Sequence, residues 1–266
     1  METGNTDKLI VDGLKAGYGS RVVLEDVSLR VASREIRIIL GASGCGKSTL
    51  LKNVIGLERP LGGTIEMLGR KVDWSDGRPT GEFMKRIGVL FQAGALLSSM
   101  TVGENVALPL KVHNPGLPED VIEDLVRMKL DEVKMGNAYD KLPSELSGGM
   151  RKRAGLARAI VTDPELLFCD EPSAGLDPVT SRALDDLLLE LRDSLGITMV
   201  VVTHELDSIR ALCDRMTFLS KGKVIFDGAL ADAESAGPQE VKDFLARKPS
   251  PESRSGKKIA FTLENG

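Results

Sequence analysis

Eight consecutive residues, Gly41, Ala42, Ser43, Gly44, Cys45, Gly46, Lys47 and Ser48, follow the spacing G-x-x-x-x-G-K-[ST], and Thr49 comes next. Glycines at this spacing let a backbone fold tightly enough for successive N–H groups to point inward at phosphate oxygens. A helix opening near Lys47 adds the positive end of its dipole. Lys47 is then placed for the β- and γ-phosphates of a nucleotide, and the Ser48 hydroxyl for Mg²⁺. The bland reading is a glycine turn between strand and helix. Four distant residues strengthen the phosphate reading. Gln92 follows the apolar run IGVLF, Asp170 and Glu171 end LLFCDE, and His204 follows TMVVVT. Asp170 reads as the Mg²⁺ carboxylate. Glu171, one step further on, can reach a water opposite the leaving group as general base. His204 can hold the γ-phosphate or orient that water, although alone it reads equally well as a helix-capping histidine. Gln92 alone would be an ordinary loop amide.

A second anion site is written about 100 residues after the first. Leu146-Ser147-Gly148-Gly149-Met150 precedes the helical run RKRAGLARAI. Ser147 is a good N-cap, and the glycines expose backbone N–H groups. One nucleotide does not need both sites from one chain, so the pair points to two chains facing each other. A plain helix cap explains the same residues on local chemistry alone.

These residues must be carried by elements that bring them together. Residues 8–31 read as short strands around the turn Gly17-Tyr18-Gly19-Ser20. Residues 36–40 are a strand entering the glycine loop, and 47–57 a helix. Residues 63–91 read as β-rich, ending in strand 87–91. From 101 to about 160 the pattern turns helical, with helical spacing at 118–130 and 150–162. The continuous apolar runs at 166–170 and 198–203 flank a helix at 178–195. Such strands alternating with helices indicate a parallel sheet covered on both faces. The glycine loop, Gln92, Asp170, Glu171 and His204 all fall at carboxyl ends of these strands, where open α/β sheets bind ligands. Residues 216–227 read as a closing hairpin. Residues 238–247 read as a short amphipathic helix with Val241, Phe244 and Leu245 on one side, and 248–258 as a polar linker.

Composition removes several function classes. The chain has 266 residues, 42% apolar and 28% charged, enough to bury a sizeable core. Lys+Arg is 35 and Asp+Glu 39, a net charge of −4, which argues against a dedicated nucleic-acid binder. No apolar run approaches membrane-span length, and METGNTDKLIV carries no secretory signal pattern. The three cysteines, Cys45, Cys169 and Cys213, are scattered, which fits a reducing compartment. The two histidines, His113 and His204, are too few for a histidine-rich metal site.

The ordered motifs resemble those of the nucleotide-binding subunits of ATP-binding cassette (ABC) transporters. GASGCGKST is similar to their Walker A motif, LLFCD with Glu171 after it to Walker B, and LSGGM to the signature. Ser173-Ala174-Gly175-Leu176-Asp177 resembles the D-loop, Gln92 the Q-loop and His204 the switch histidine. Tyr18 lies where the family keeps an adenine-stacking aromatic; a turn tyrosine is the bland alternative. The resemblance covers about residues 7–230. It implies a P-loop NTPase, RecA-like α/β core, an antiparallel β-subdomain and an inserted α-helical subdomain over about 95–160. It leaves 231–266 as a C-terminal extension. It further implies ATP as substrate and Mg²⁺ as cofactor, with Ser48, Gln92 and Asp170 as metal ligands. Glu171, His204, Lys47 and Gln92 would carry the chemistry. Two subunits would close head to tail, so that Ser147, Gly148, Gly149 and Asp177 serve the partner's nucleotide and closure drives an integral-membrane permease. The stretches 91–110 and 145–160, with Met150 ending the signature, resemble the MlaF/Mkl subgroup, which moves phospholipids between bacterial membranes. That likeness implies a place on the cytoplasmic face of the inner membrane. It also implies a small regulatory subunit and a lipid-binding substrate protein as further partners.

Other transported substrates fit the same motifs. A non-transport cassette ATPase of DNA repair, chromosome organisation or translation would usually carry a long coiled coil or two fused cassettes. This chain has one cassette and no sustained heptads. A guanine-reading Asn-Lys-x-Asp is absent.

Overall fold

Alternation sets the first layer. Leu9, Val11, Leu14 and Ala16 of β1 (Asp7–Tyr18) are buried, as are Leu24, Val27, Leu29 and Val31 of β2 (Arg21–Ala32). The computed structural model describes residues 7–75 and 84–248. Part of the β-rich stretch expected over 63–91, and most of the expected polar linker and tail, lie outside the described residues. The next strand, β3 (Ile36–Gly41), is buried at every position. β4 (Gly62–Met67) and β5 (Arg70–Lys71) join the first two in an antiparallel sheet of order β2-β1-β4-β5. β6 (Ile87–Leu90), β7 (Leu166–Asp170), β8 (Thr198–Val202), β9 (Arg215–Ser220) and β10 (Lys223–Gly228) join β3 in a second sheet, of order β10-β9-β3-β8-β7-β6. All its pairings are parallel except the closing hairpin of β9 and β10.

Strands buried on both faces explain the continuous apolar runs. Ile38, Leu40, Cys169, Val201 and Phe218 face one core. Their neighbours Ile39, Phe168, Val200, Val202 and Leu219 face the other, with the antiparallel sheet and Leu50, Leu51 and Val54 of α1 (Lys47–Val54). The first core is covered by α2 (Val102–His113), α3 (Glu119–Glu132), α4 (Gly148–Ile160), α5 (Pro178–Leu195) and α6 (Leu206–Leu212). α2 starts at a capping box: Glu104 N–H donates to Thr101 Oγ1 at 3.2 Å, and Thr101 N–H donates to the Glu104 carboxylate at 2.7 Å. Two short helices close the described chain, α7 (Leu230–Ser235) and α8 (Gln239–Leu245). Val241 and Leu245 of α8 are buried, and Phe244 meets Phe218 edge-on at 5.2 Å.

The helices shift slightly from their sequence-based bounds. α1 stops at Val54 rather than 57, because Gly56 takes φ +80° just beyond Ile55. α4 opens at Gly148 rather than 150, since Ser147 caps it. α7 has no amphipathic pattern in LADAES, and only Ala233 of it is buried.

One buried carboxyl ties α5 to α6. Ser208 Oγ donates to Asp185 Oδ2 at 2.8 Å and lies 3.2 Å from Ser173 Oγ, while Asp185 Oδ1 is buried without a partner. Burial pushes the Asp185 carboxyl from 3.8 up to about 6. Between those values the native state holds this proton more tightly than the unfolded chain. The group therefore takes away roughly 3 kcal/mol of stability as pH rises through that window. Asp185→Asn should flatten the fall: urea midpoints at about pH 4 and pH 7 should lie closer together than in wild type. An unchanged gap would show that Asp185 is not the titrating group.

Candidate active site

The carboxyl ends of β3, β6, β7 and β8 share one rim of the parallel sheet. A cleft of about 770 Å³ opens there, lined by Tyr18, Gly41, Ala42, Ser43, Gly44, Gly46, Lys47, Ser48, Thr49, Gln92, Asp170, Glu171 and His204. Thirteen positions from five separate parts of the sequence thus meet in one space.

The loop from β3 to α1 is shaped for anions. Gly46 takes φ +110°, and a Cβ there would lie 2.4 Å from Leu24 Cδ2, so only glycine fits. Gly46 is also the N-cap of α1 and supplies no side-chain cap, leaving the first-turn N–H groups for a ligand. Lys47 Nζ donates to the carbonyls of Gly41 at 2.7 Å and Ala42 at 3.1 Å. Cys45 is buried rather than lining the cleft, its Sγ 4.0 Å from Lys47 Nζ. Tyr18 is 48% exposed, its hydroxyl 3.5 Å from Thr49 Oγ1 and Lys52 Nζ 5.8 Å from the ring centroid.

Glu171 sits where β7 runs out. Its backbone is in the left-handed region at φ +46°, with its N–H donating to Val202 O at 2.8 Å. Glu171 Oε1 lies 2.8 Å from His204 Nδ1, and Oε2 is buried without a protein partner. The histidine thus fixes one carboxylate oxygen. Burial, reinforced by the adjacent Glu171, raises the pKa of Asp170. A carboxyl so placed favours a cation beside it. Ser48, Gln92 and Asp170 supply hard oxygen donors on the same cleft, so the residues present fit Mg²⁺.

The other expected residues form a second group outside this cleft. Ser147 Oγ accepts from Met150 N at 3.3 Å. Asp177 Oδ1 caps α5, accepting from the N–H groups of Val179 and Thr180 at 3.1 and 3.0 Å. Thr180 Oγ1 donates to Asp177 Oδ2 at 2.6 Å, and these bonds hold the Asp177 carboxyl below its usual range. A Cβ on Gly149 would lie 2.5 Å from Thr180 Cγ2, and one on Gly148 would touch Leu176. Gly148 and Gly149 therefore pack against Leu176 and Thr180, on either side of Asp177.

Sequence reasoning missed four residues of the cleft wall: Arg21, Val23, Val202 and Phe244. Arg21 was findable, since the turn after Tyr18 makes it the direct cross-strand partner. Phe244, expected on one side of a short amphipathic helix, also reaches the cleft.

A family model described as ABC transporter matches residues 24–174. The "Probable ribonucleotide transport ATP-binding protein mkl" of Mycobacterium tuberculosis is 39% identical over 254 residues, covering 95% of this chain and 70% of that protein. The "Intermembrane phospholipid transport system ATP-binding protein MlaF" of Haemophilus influenzae is 37% identical over 241 residues, covering 91% of each. The "Methionine import ATP-binding protein MetN 2" of Paraburkholderia xenovorans is 43% identical over 205 residues, 77% of this chain and 53% of that protein. Among solved structures, a dimeric ATP-binding cassette in a post-hydrolysis state with ADP and Pi is similar at a TM-score of 0.73 and 27% identity. That match covers 84% of this chain and 98% of the other.

Proposed function

The chain belongs to the ABC transporter family of ATP-binding, ATP-hydrolysing subunits, and from that premise we propose that it works as a head-to-tail dimer powering a membrane permease for phospholipids. The observation that carries this reading is the separation of two groups. Lys47, Gln92, Asp170, Glu171 and His204 share one cleft, and Ser147, Gly148, Gly149 and Asp177 lie outside it. A site that needs both groups is completed by a second copy.

In this reading residues 7–230 are the ATPase domain, with the inserted helical subdomain over about 95–160 and a C-terminal extension from 231 to 266. Tyr18 offers a flat face to adenine. The loop of Gly41, Ala42, Ser43, Gly44, Cys45 and Gly46 wraps the phosphates, with Thr49 beside Ser48 at the helix start. Lys47 exchanges the carbonyls of Gly41 and Ala42 for β- and γ-phosphate oxygens. Ser48, Gln92 and Asp170 hold Mg²⁺, which when bound neutralises charge on the transferring phosphoryl group. The Glu171 carboxylate accepts a proton from the attacking water, and His204 holds Oε1 so that the carboxylate keeps one rotamer. The serine and glycine N–H groups at the start of the partner's α4 stabilise the γ-phosphate from the far side.

No helix among the described residues is long and apolar enough to cross a membrane. Membrane attachment in this reading comes through the permease, on the cytoplasmic face of the inner membrane. A small regulatory subunit and a lipid-binding substrate protein complete the proposed assembly. Phospholipid as cargo is supported by the relative that matches over 91% of both chains. The test is to purify the chain with its native membrane subunits and identify bound small molecules by mass spectrometry. Phospholipid should co-purify near stoichiometry with the permease. Methionine or a ribonucleotide in its place would overturn the cargo assignment.

A further inference from the structure

The ammonium of Lys152 sits inside the molecule at a junction of three elements. It projects from the second turn of α4, the helix capped by Ser147, and the residue is 5% exposed. Its Nζ donates to the backbone carbonyl of Glu171 at 2.9 Å and to the backbone carbonyl of Gln92. Both acceptors belong to loops at the carboxyl rim of the parallel sheet, one after β7 and one after β6.

Neighbouring residues show that α4 grips the Gln92 loop along its length. Arg158 donates to the carbonyls of Ala95 and Gly94 at 2.8 and 2.9 Å. A Cβ on Gly155 would lie 3.0 Å from Gly94 Cα, so the loop backbone lies close against the helix. Lys152 differs from these because it also holds Glu171. The Glu171 backbone is in a region that side-chain-bearing residues rarely adopt, at φ +46°. Such a conformation persists only where surrounding contacts determine it. Its N–H is held by Val202 O, and its carbonyl takes Lys152 Nζ and the Ala174 N–H. The only side-chain cation on that carbonyl comes from α4, among the described residues. Burying an ammonium is costly unless it is fully hydrogen-bonded, so a role in packing alone would be better served by an apolar chain.

We infer that Lys152 is a positioning residue for ATP hydrolysis: it pins the Glu171 backbone so that the carboxylate faces the cleft, and it ties that carboxylate to the Gln92 loop and to α4. The inference rests on the reading of Glu171 as general base. Movement of α4 would then be felt at the base through one ammonium, without contact between Lys152 and the nucleotide.

The test uses the full-length chain and four variants: Lys152→Met, which keeps length and removes charge, Lys152→Arg, Glu171→Gln, and the double Lys152→Met/Glu171→Gln. Binding of a non-hydrolysable ATP analogue gives the affinity and the number of competent sites. Single-turnover hydrolysis gives the rate. Lys152→Met should lose about tenfold or more in rate, with analogue affinity and site number within about twofold of wild type. Lys152→Arg should recover most of the rate, because a guanidinium can donate to both carbonyls. In the Glu171→Gln background, Lys152→Met should add little further loss, since the two act through one carboxylate. A wild-type rate for Lys152→Met overturns the inference. So does a loss explained by fewer competent sites, an equal loss in both backgrounds, or an Arg variant no better than Met. A wild-type rate for Glu171→Gln alone would instead sink the reading of the base, and is a separate outcome.

Discussion

Glu171→Gln should lower ATP turnover by about 10²–10⁴-fold while ATP still binds, the range that a positioned general base contributes. The substitution keeps the shape of the side chain and its backbone contacts. It replaces the carboxylate with an amide at the place where Oε1 lies 2.8 Å from His204 Nδ1. An amide in that place can orient a water and cannot take its proton. With hydrolysis slowed, the closed dimer should accumulate in ATP and appear as a larger species by size-exclusion chromatography. ATP-dependent dimerisation with turnover unchanged would mean that the proton goes elsewhere, and His204 would be the next group to test.

Lys47→Ala should remove both tight nucleotide binding and turnover. The Lys47 ammonium lies 2.7 and 3.1 Å from the carbonyls of Gly41 and Ala42, so it is held at the loop rather than in bulk solvent. Charge-assisted bonds to phosphate are stronger than those carbonyl bonds. Their loss leaves the β- and γ-phosphates without the lysine cation of their own loop. Alanine at this first helical position keeps helix propensity, so α1 should persist and the melting temperature without nucleotide should change little. Wild-type turnover by this variant, measured by phosphate release, would count against the phosphate-loop assignment.

Much of this arrangement could be read from the chain because its signals are local. The strand-loop-helix around Lys47 follows from IRIIL, the glycines and KSTLL, and the structure places β3 and α1 there. Continuous apolar runs located β7 and β8, since strands buried on both faces must be apolar throughout. From those ends and the end of the strand at 87–91, Gln92, Asp170, Glu171 and His204 could be brought to one rim. What was not legible depends on contacts between distant residues. The helical pattern places Phe244 on one side of a short helix, and whether that side chain also walls a cleft is decided by packing. Lys152 is one of several cations in RKRAGLAR, and nothing in that run says which is buried. The unpaired Asp185 Oδ1 follows from how α5 meets α6, which no periodicity records. Short α7 was missed because a six-residue helix held by Ala233 carries no repeat.

The central claim is that each ATP site is completed by a second copy of the chain, and it is tested most directly by complementation. Lys47→Ala is placed on one chain and Ser147→Arg on another, both in the Glu171→Gln background so that closed dimers persist. Each variant alone should fail to retain radiolabelled ATP after rapid desalting. When the two are mixed, one interface pairs both damaged halves and the other pairs an intact Lys47 with an intact Ser147. The account predicts that the mixture recovers ATP retention. Retention by the Ser147→Arg chain alone, or none in the mixture while the Glu171→Gln parent retains ATP well, would contradict it.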